Sequence, residues 1–197
     1  MALDQSFMVR EAELQRLGFQ ILKADYEKLI ASRRSFYWEC LLTWMNYTVF
    51  LRRVTTLSAQ MIDLDRPQLK SEAKQLNRSP IPRGLQSGNA ILVVYLADEV
   101  EHEAQKICEQ SKRPEFAQFY VPAAIDLSNG ATYFVRHTPL WGAVYYSKFR
   151  YILARLLSPQ DAPNQEPLST SGAILTLLML GFFAIFALLL ILIAVSH

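Results

Sequence analysis

The chain has 197 residues, 51% of them hydrophobic and 12% aromatic, which is enough for one domain with a sizeable core. Its 20 Lys and Arg against 18 Asp and Glu leave a net charge of +2, which argues against the strongly basic field typical of nucleic-acid-binding proteins. The two cysteines, Cys40 and Cys108, argue against a disulfide framework. The charged N-terminus is not expected to be a secretory signal peptide.

The first two predicted elements are helices. Residues 4–31 are predicted to form the first, because Leu14, Leu17 and Ile21 share one face. Residues 36–51 are an apolar run between two arginine pairs, and their apolar positions have helical spacing at Trp38, Leu41, Leu42, Met45 and Val49. This run is predicted to be a core helix. The alternatives are a helix lying along a membrane surface and a second membrane span.

The middle of the chain combines loops, strands and helices. Proline and glycine punctuate residues 63–88, where a short helix over 67–76 precedes a long loop. Residues 90–97 are predicted to be a buried strand followed by a helix over 99–110, and one continuous helix over 89–110 is the alternative. Asn129-Gly130 predicts a type I′ hairpin turn, and Pro122 predicts that its strand is an edge strand or is kinked. Pro139 is predicted to begin a final helix that ends at Leu157.

The C-terminal segment is predicted to be a transmembrane helix. Residues 172–195, from Gly172 through Gly181 to Val195, contain no charged side chain. As a helix they would span about 36 Å, against a bilayer core of about 30 Å. The chain is therefore predicted to be a tail-anchored, single-pass membrane protein with a cytoplasmic N-terminus and an outside or lumenal C-terminus.

These elements predict an α+β fold. The domain over 1–157 would be cytoplasmic and predominantly helical. It would contain a β-hairpin, with a small three-stranded sheet as the alternative. A flexible linker over 158–171 would join this domain to the transmembrane helix over 172–195.

Residues with catalytic or metal-binding chemistry are sparse. Glu99 and His102 match Glu-x-x-His, which on a helix would place both side chains on one face, and they are the weak candidates for a metal site. The chain lacks the glycine-rich phosphate loops and nucleophile motifs of common enzyme families. We therefore predict no catalytic residue and no cofactor, and a chain that is more plausibly not an enzyme.

One resemblance to a known family is carried by the run from Leu69 through Leu96-Ala97-Asp98-Glu99. Together with an apolar C-terminal segment, this run resembles the DotU/IcmH-like anchors of bacterial secretion systems. The resemblance implies a helical cytoplasmic domain with a tail anchor, and a role as a secretion-system membrane anchor.

The favoured function is a non-catalytic interaction or assembly role, as a scaffold or adaptor at the cytoplasmic membrane face. The expected partners are the lipid bilayer and a membrane protein or a second copy of the chain, and no nucleic acid. Three further alternatives are the secretion-system anchor, a membrane-tethered enzyme acting on a lipid or hydrophobic substrate, and a membrane-active effector. The predicted interaction surface comprises Tyr37, Trp44, Tyr47, Lys148, Arg150, Tyr151 and Arg155.

Overall fold

A computed structural model describes residues 5–37, 43–76, 87–110, 115, 117–137 and 143–162, together with 177, 178, 180–182 and 185. The helices and strands are, in chain order, α1 Gln5–Arg16, β1 Gln20–Ala24, β2 Lys28–Tyr37, β3 Thr43–Leu57, α2 Ala59–Leu76, β4 Ser87–Val100, α3 His102–Glu109, β5 Gln118–Asp126, β6 Thr132–Tyr133 and α4 Ala143–Leu157.

The six strands form one mixed sheet in the order β1-β2-β3-β4-β5-β6. The β1–β2, β2–β3 and β5–β6 pairs are antiparallel, whereas β3–β4 and β4–β5 are parallel. Parallel neighbours need a crossover connection, and α2 and α3 supply the two crossovers. The α+β class is therefore retained, but the prediction of a predominantly helical domain with at most three strands is wrong.

Helices cover both faces of the sheet. On one face α1 and α4 pack on inward side chains of β2 to β5, including Tyr47, Val49 and Leu92. On the other face α2 and α3 pack on the alternate residues, including Phe50 and Val93. Successive side chains of a strand point to opposite faces, so the central strands are apolar at consecutive positions. The result is a three-layer arrangement with a separate core on each side of the sheet.

The predicted core helix over 36–51 is wrong, because Tyr37 ends β2 and residues 43–57 form β3. A strand buried on both faces carries apolar residues on both, and these residues also include positions with helical spacing. Met45 and Val49, four residues apart, share one strand face and would also share a helix face. Trp38, Leu41 and Leu42 lie outside the described residues.

The predicted first helix over 4–31 is also wrong beyond Arg16. Gly18 has a φ of +77° and donates its N–H to the carbonyl of Gln15, while Phe19 donates to the carbonyl of Leu14 at 2.9 Å. This pair of bonds is a Schellman motif, which satisfies the last carbonyls of a helix and ends it. The chain then enters β1, which pairs with β2 through a turn closed by the Asp25 carboxylate and the N–H of Lys28 at 2.7 Å.

Helix α2 is longer than predicted. It begins at Ala59 and runs to Leu76, so that Pro67 lies inside it and not in its first turn. Ser58 caps it, since its Oγ accepts the N–H of Met61 at 3.2 Å. Only the second half of α2 was predicted, because Pro67 is a common helix-start signal.

Residues 90–97 are a strand, as predicted, within the longer β4, and helix α3 follows it. The hairpin is present as β5 and β6, but its turn is not type I′, because Gly130 has a positive φ of +74° and Asn129 does not. Pro122 pairs with Val93 of β4, while β6 pairs only with Ala124 and Ile125, so β5 is an edge at Pro122 among the described strands, as predicted.

The predicted transmembrane helix over 172–195 must be corrected. Across the described ranges of the chain, no helix combines the length and the apolar composition that crossing a membrane requires. From this segment the structure describes helical, exposed residues only, namely Leu177, Leu178, Leu180, Gly181, Phe182 and Ile185. Gly172 and Val195 lie outside the described residues, as does the linker after residue 162. The predicted membrane topology depended on that helix and stays a prediction.

Candidate functional site

The residues of the predicted interaction surface lie mainly inside the fold. Tyr37, Tyr47, Lys148 and Tyr151 are buried, and the other three, Trp44, Arg150 and Arg155, are partly exposed. All except Trp44 belong to the α1/α4 side of the sheet or to α4 itself. The structure therefore brings most of these residues together in a core and leaves only Trp44 on the other face.

Three residues of this predicted surface, Tyr37, Tyr47 and Lys148, join β2, β3 and α4. Tyr47 donates its hydroxyl to Tyr37 Oη at 3.1 Å, and Arg33 donates to the same oxygen at 3.0 Å. Lys148 Nζ lies 4.1 Å from the centre of the Tyr37 ring, a cation–π distance. Tyr47 also packs edge-to-face on Phe149, with ring centres 6.1 Å apart. These contacts are directed at the protein's own elements and hold α4 against the sheet.

The basic side chains at the end of α4 are also engaged internally. Arg155 forms an ion pair with Glu13 of α1, whose side chain is only 2% exposed. Arg150 donates to the main-chain carbonyl of Arg136 at 3.1 Å. A basic helix face that the sequence predicts as a surface thus contributes to packing, because α1 supplies a buried carboxylate that the sequence alone does not place there.

The structure separates Glu99 and His102. Glu99 lies in β4 and His102 is the first residue of α3, and both are exposed. The Glu-x-x-His pair therefore does not occupy one helix face, which was the geometry on which its metal-binding interpretation rested. Among the described residues, no group of three or more His, Cys, Asp or Glu side chains is arranged to hold a metal ion.

The only cysteine that the structure describes, Cys108, lies on the buried side of α3. Burial raises the pKa of its thiol to about 12, from an ordinary value of 9.0. A thiol in this state is almost fully protonated at neutral pH and is a poor nucleophile. Cys108 therefore acts as a small apolar residue of the α2/α3 core.

Sequence reasoning missed a buried polar network between the sheet and α2. Asp65 of α2 forms an ion pair with Arg52 of β3 and accepts a hydrogen bond from the hydroxyl of Tyr95 on β4 at 3.1 Å. Arg52 and Tyr95 are direct neighbours in the parallel register, so both reach the same carboxylate. Burial, followed by the neighbouring Tyr120 and Asp65, raises the pKa of Tyr95. Isolated Arg, Asp and Tyr residues distant in sequence gave no pattern that would have predicted this network.

Tyr120 of β5 lies beside this network without a matching hydrogen bond. Its hydroxyl is buried and has no hydrogen-bond partner of adequate geometry, although it is close enough to Tyr95 for each to influence the other's pKa. Desolvation raises the pKa of Tyr120 to about 12. The guanidinium of Arg66 lies 5.1 Å from the centre of the Tyr120 ring. The network thus secures α2 to the sheet through Asp65, and Tyr120 contributes packing.

An aromatic pair, exposed Phe36 and partly exposed Trp44, lies near the end of β2 and the start of β3. Phe36 and Trp44 are direct cross-strand neighbours with ring centres 4.9 Å apart, and 46% of Phe36 is exposed. Arg34 is exposed, and its guanidinium carbon lies 4.6 Å from the centre of the Trp44 ring. By strand alternation these three side chains share the sheet face on which α2 and α3 pack. We call Arg34, Phe36 and Trp44 the hairpin patch.

The sheet topology bears on the kind of site available. Parallel α/β sheets usually bind ligands in a crevice at a topological switch point, where the strand order reverses. Here β3, β4 and β5 follow one another in a single direction, and both crossover helices lie on one face. The three described parallel strands therefore create no such switch point.

Two comparisons bear on the chain's relationship to known proteins. No protein-family model matches the chain, and no curated protein matches it. The resemblance to DotU/IcmH-like anchors therefore finds no support, and the six-stranded sheet departs from the helical domain that the resemblance implies.

Proposed function

We propose that the chain is a non-catalytic interaction protein that docks a protein partner on the hairpin patch. The observation that carries the proposal is the exposure of Phe36 beside Trp44, on the sheet face on which α2 and α3 pack. Aromatic side chains are enriched at the energetic centres of protein interfaces. A rigid strand pair also presents them with little conformational freedom to lose on binding.

Two further observations support an interaction role over a catalytic one. Two charged groups between the sheet and its helices, the Asp65 carboxylate and the Arg155 guanidinium, are paired with charged groups of the fold itself. The groups with strongly raised pKa values, Tyr95, Tyr120 and Cys108, are protonated at neutral pH and lie in a packed core. An active site would instead expose a titrating group to its substrate.

The free edge of the sheet is a less suitable docking element than the hairpin patch. Strand β1 has a register irregularity between Ile21 and Lys23, and Lys23 carries a charge on this exposed edge. Bulges and lysines are devices that oppose edge-to-edge strand pairing. We therefore assign recognition to side chains of the sheet face and not to the backbone of β1.

Site-specific photo-crosslinking tests this proposal. A benzophenone amino acid replaces Phe36 in the full chain, which is irradiated in cells that natively express it. The matched control replaces Leu64 of α2, which is 67% exposed and distant from the patch in sequence. We expect one discrete adduct from position 36 that is absent from position 64. An absence of adducts at both positions, or the same adducts from both, would contradict the proposal.

A further inference from the structure

The hairpin patch combines an apolar surface with Arg34, a cation that no carboxylate of the described residues neutralises. On the same two strands, Lys28, Arg52 and Arg53 each form an ion pair, with Glu72, Asp65 and Asp98 respectively. Arg34 is different, because no carboxylate in the described part of the chain pairs with it. Its observed contact is the face of the Trp44 indole.

Arg34 can still donate hydrogen bonds to a ligand while its guanidinium stacks on Trp44. A guanidinium that lies over an aromatic ring uses its flat face, whereas its N–H donors point outward in its own plane. Those donors match the two oxygens of a carboxylate, which they bind in a bidentate manner. The stacking also restricts the side chain, so less rotamer freedom is lost when a carboxylate arrives.

We propose that the hairpin patch binds an acidic segment of a protein partner, which deepens the interaction function proposed above and rests on it. A partner carboxylate meets the guanidinium of Arg34, and a neighbouring aliphatic or aromatic side chain packs on Phe36 and Trp44. The apolar contact supplies most of the affinity, and the charge selects acidic over basic or neutral segments.

A second copy of the chain fits this patch less well than a different protein does. In a two-fold dimer the same surface meets itself, so the Arg34 side chains of both copies would approach each other. The patch of either copy contains no described carboxylate that would neutralise these two positive charges. Charge complementarity therefore favours a partner that carries acidic residues.

The test uses a random-peptide display library panned on the folded full chain. We expect enriched peptides to carry Asp or Glu next to a large apolar residue. Binding of a representative peptide should weaken about fivefold on Arg34→Gln, the upper range for an exposed ion pair. It should weaken about 30-fold on Phe36→Ser, the range of an interface hot spot. Lys74→Gln, an exposed cation of α2, is the matched control and should bind normally.

Salt separates the charge from the apolar contact. Raising NaCl from about 0.05 M to about 0.5 M shortens the Debye length about threefold, so peptide binding by the unmodified chain should weaken. Binding by Arg34→Gln should respond little to salt, whereas Arg34→Glu should reverse the preference towards basic peptides. If Phe36→Ser does not fold, the exposed Arg34 variants carry the test alone.

Three results would overturn this inference. They are enriched peptides without acidic residues, acidic peptides that bind Arg34→Gln as tightly as the unmodified chain, and sedimentation showing that the chain self-associates through Phe36. These results differ from a failure of the proposed function. An adduct at position 36 whose formation is insensitive to Arg34→Gln contradicts the acidic specificity alone, whereas no adduct contradicts the interaction function itself.

Discussion

Replacing Tyr95 by Phe tests whether the buried polar network secures α2 to the sheet. The substitution keeps the aromatic ring, which is fully buried, and removes only the hydroxyl that donates to Asp65 at 3.1 Å. A hydrogen bond to a charged group contributes about 1.5–3 kcal/mol to the free energy of unfolding. The distance is long for an O–H···O bond, whose usual value is about 2.7–2.8 Å, so we expect a loss near the lower limit, about 1.5 kcal/mol.

The assay is urea denaturation of the full chain, followed by circular dichroism. With a denaturant slope of about 1–3 kcal/mol/M, this loss lowers the midpoint by about 0.5–1.5 M and leaves the slope unchanged. In thermal unfolding it corresponds to a decrease of about 3–6 °C. Because Arg52 still neutralises Asp65 in the variant, no buried charge is left alone to enlarge the effect.

Tyr120→Phe is the matched control for this prediction. It removes a tyrosine hydroxyl from the same region of the core, but one that is buried without a hydrogen-bond partner of adequate geometry. Deleting such a group should be neutral or slightly stabilising. Equal effects of the Tyr95→Phe and Tyr120→Phe variants, or full additivity between Tyr95→Phe and Asp65→Asn, would refute our account of the network.

Three further predictions follow from single residues. In a Cys40→Ser background at pH 8, the raised pKa of Cys108 should slow its alkylation about a thousandfold relative to the urea-unfolded chain, and rapid labelling of the native chain would contradict its burial. Cys108 and Tyr120 both have pKa values of about 12 in the folded chain, against ordinary values of 9.0 and 10.0. Because the folded chain holds these protons more tightly, its free energy of unfolding should be retained below pH 9 and should decline as the pH rises towards 12. A urea midpoint that stays constant from pH 8 to 11 would argue against this. Gly18→Ala should lower the free energy of unfolding, measured by urea denaturation, by about 1 kcal/mol. The positive φ alone causes this loss, since the added Cβ has no neighbour closer than 3.8 Å. An unchanged midpoint would mean that the Schellman turn does not need glycine.

Prediction succeeded where the local sequence pattern fitted only one type of secondary structure, and it failed where the pattern fitted both a strand and a helix. Residues 90–97 were predicted as a strand because their β-branched run was bounded by a cap, and the structure confirms it. Residues 36–51 failed because β3 is buried on both faces and is therefore apolar on both, so that its apolar residues also include positions with helical spacing. The end of α1 at Gly18 was present as a glycine stop signal and was overlooked in favour of Ile21.

The candidate site was less predictable than the fold. Trp44 was predicted to belong to an interaction surface and is partly exposed, whereas Tyr47 had the same apparent character and is buried. The two differ in strand parity, because residues 44 and 47 point to opposite faces of the sheet. Arg34 and Phe36 were not singled out, since their proximity to Trp44 arises only from the cross-strand register.

The sequence by itself determined the composition of a well-packed domain, the strand at residues 90–97, the hairpin near Gly130 and the position of Pro122 at a sheet edge, because each follows from backbone preferences within a few residues. Only the tertiary structure decided that β3 is a strand, that the basic side chains of α4 are used internally, and that Asp65 links α2 to the sheet. These features depend on contacts between residues that are tens of positions apart, and burial on two faces removes the polar alternation from which such contacts could have been inferred.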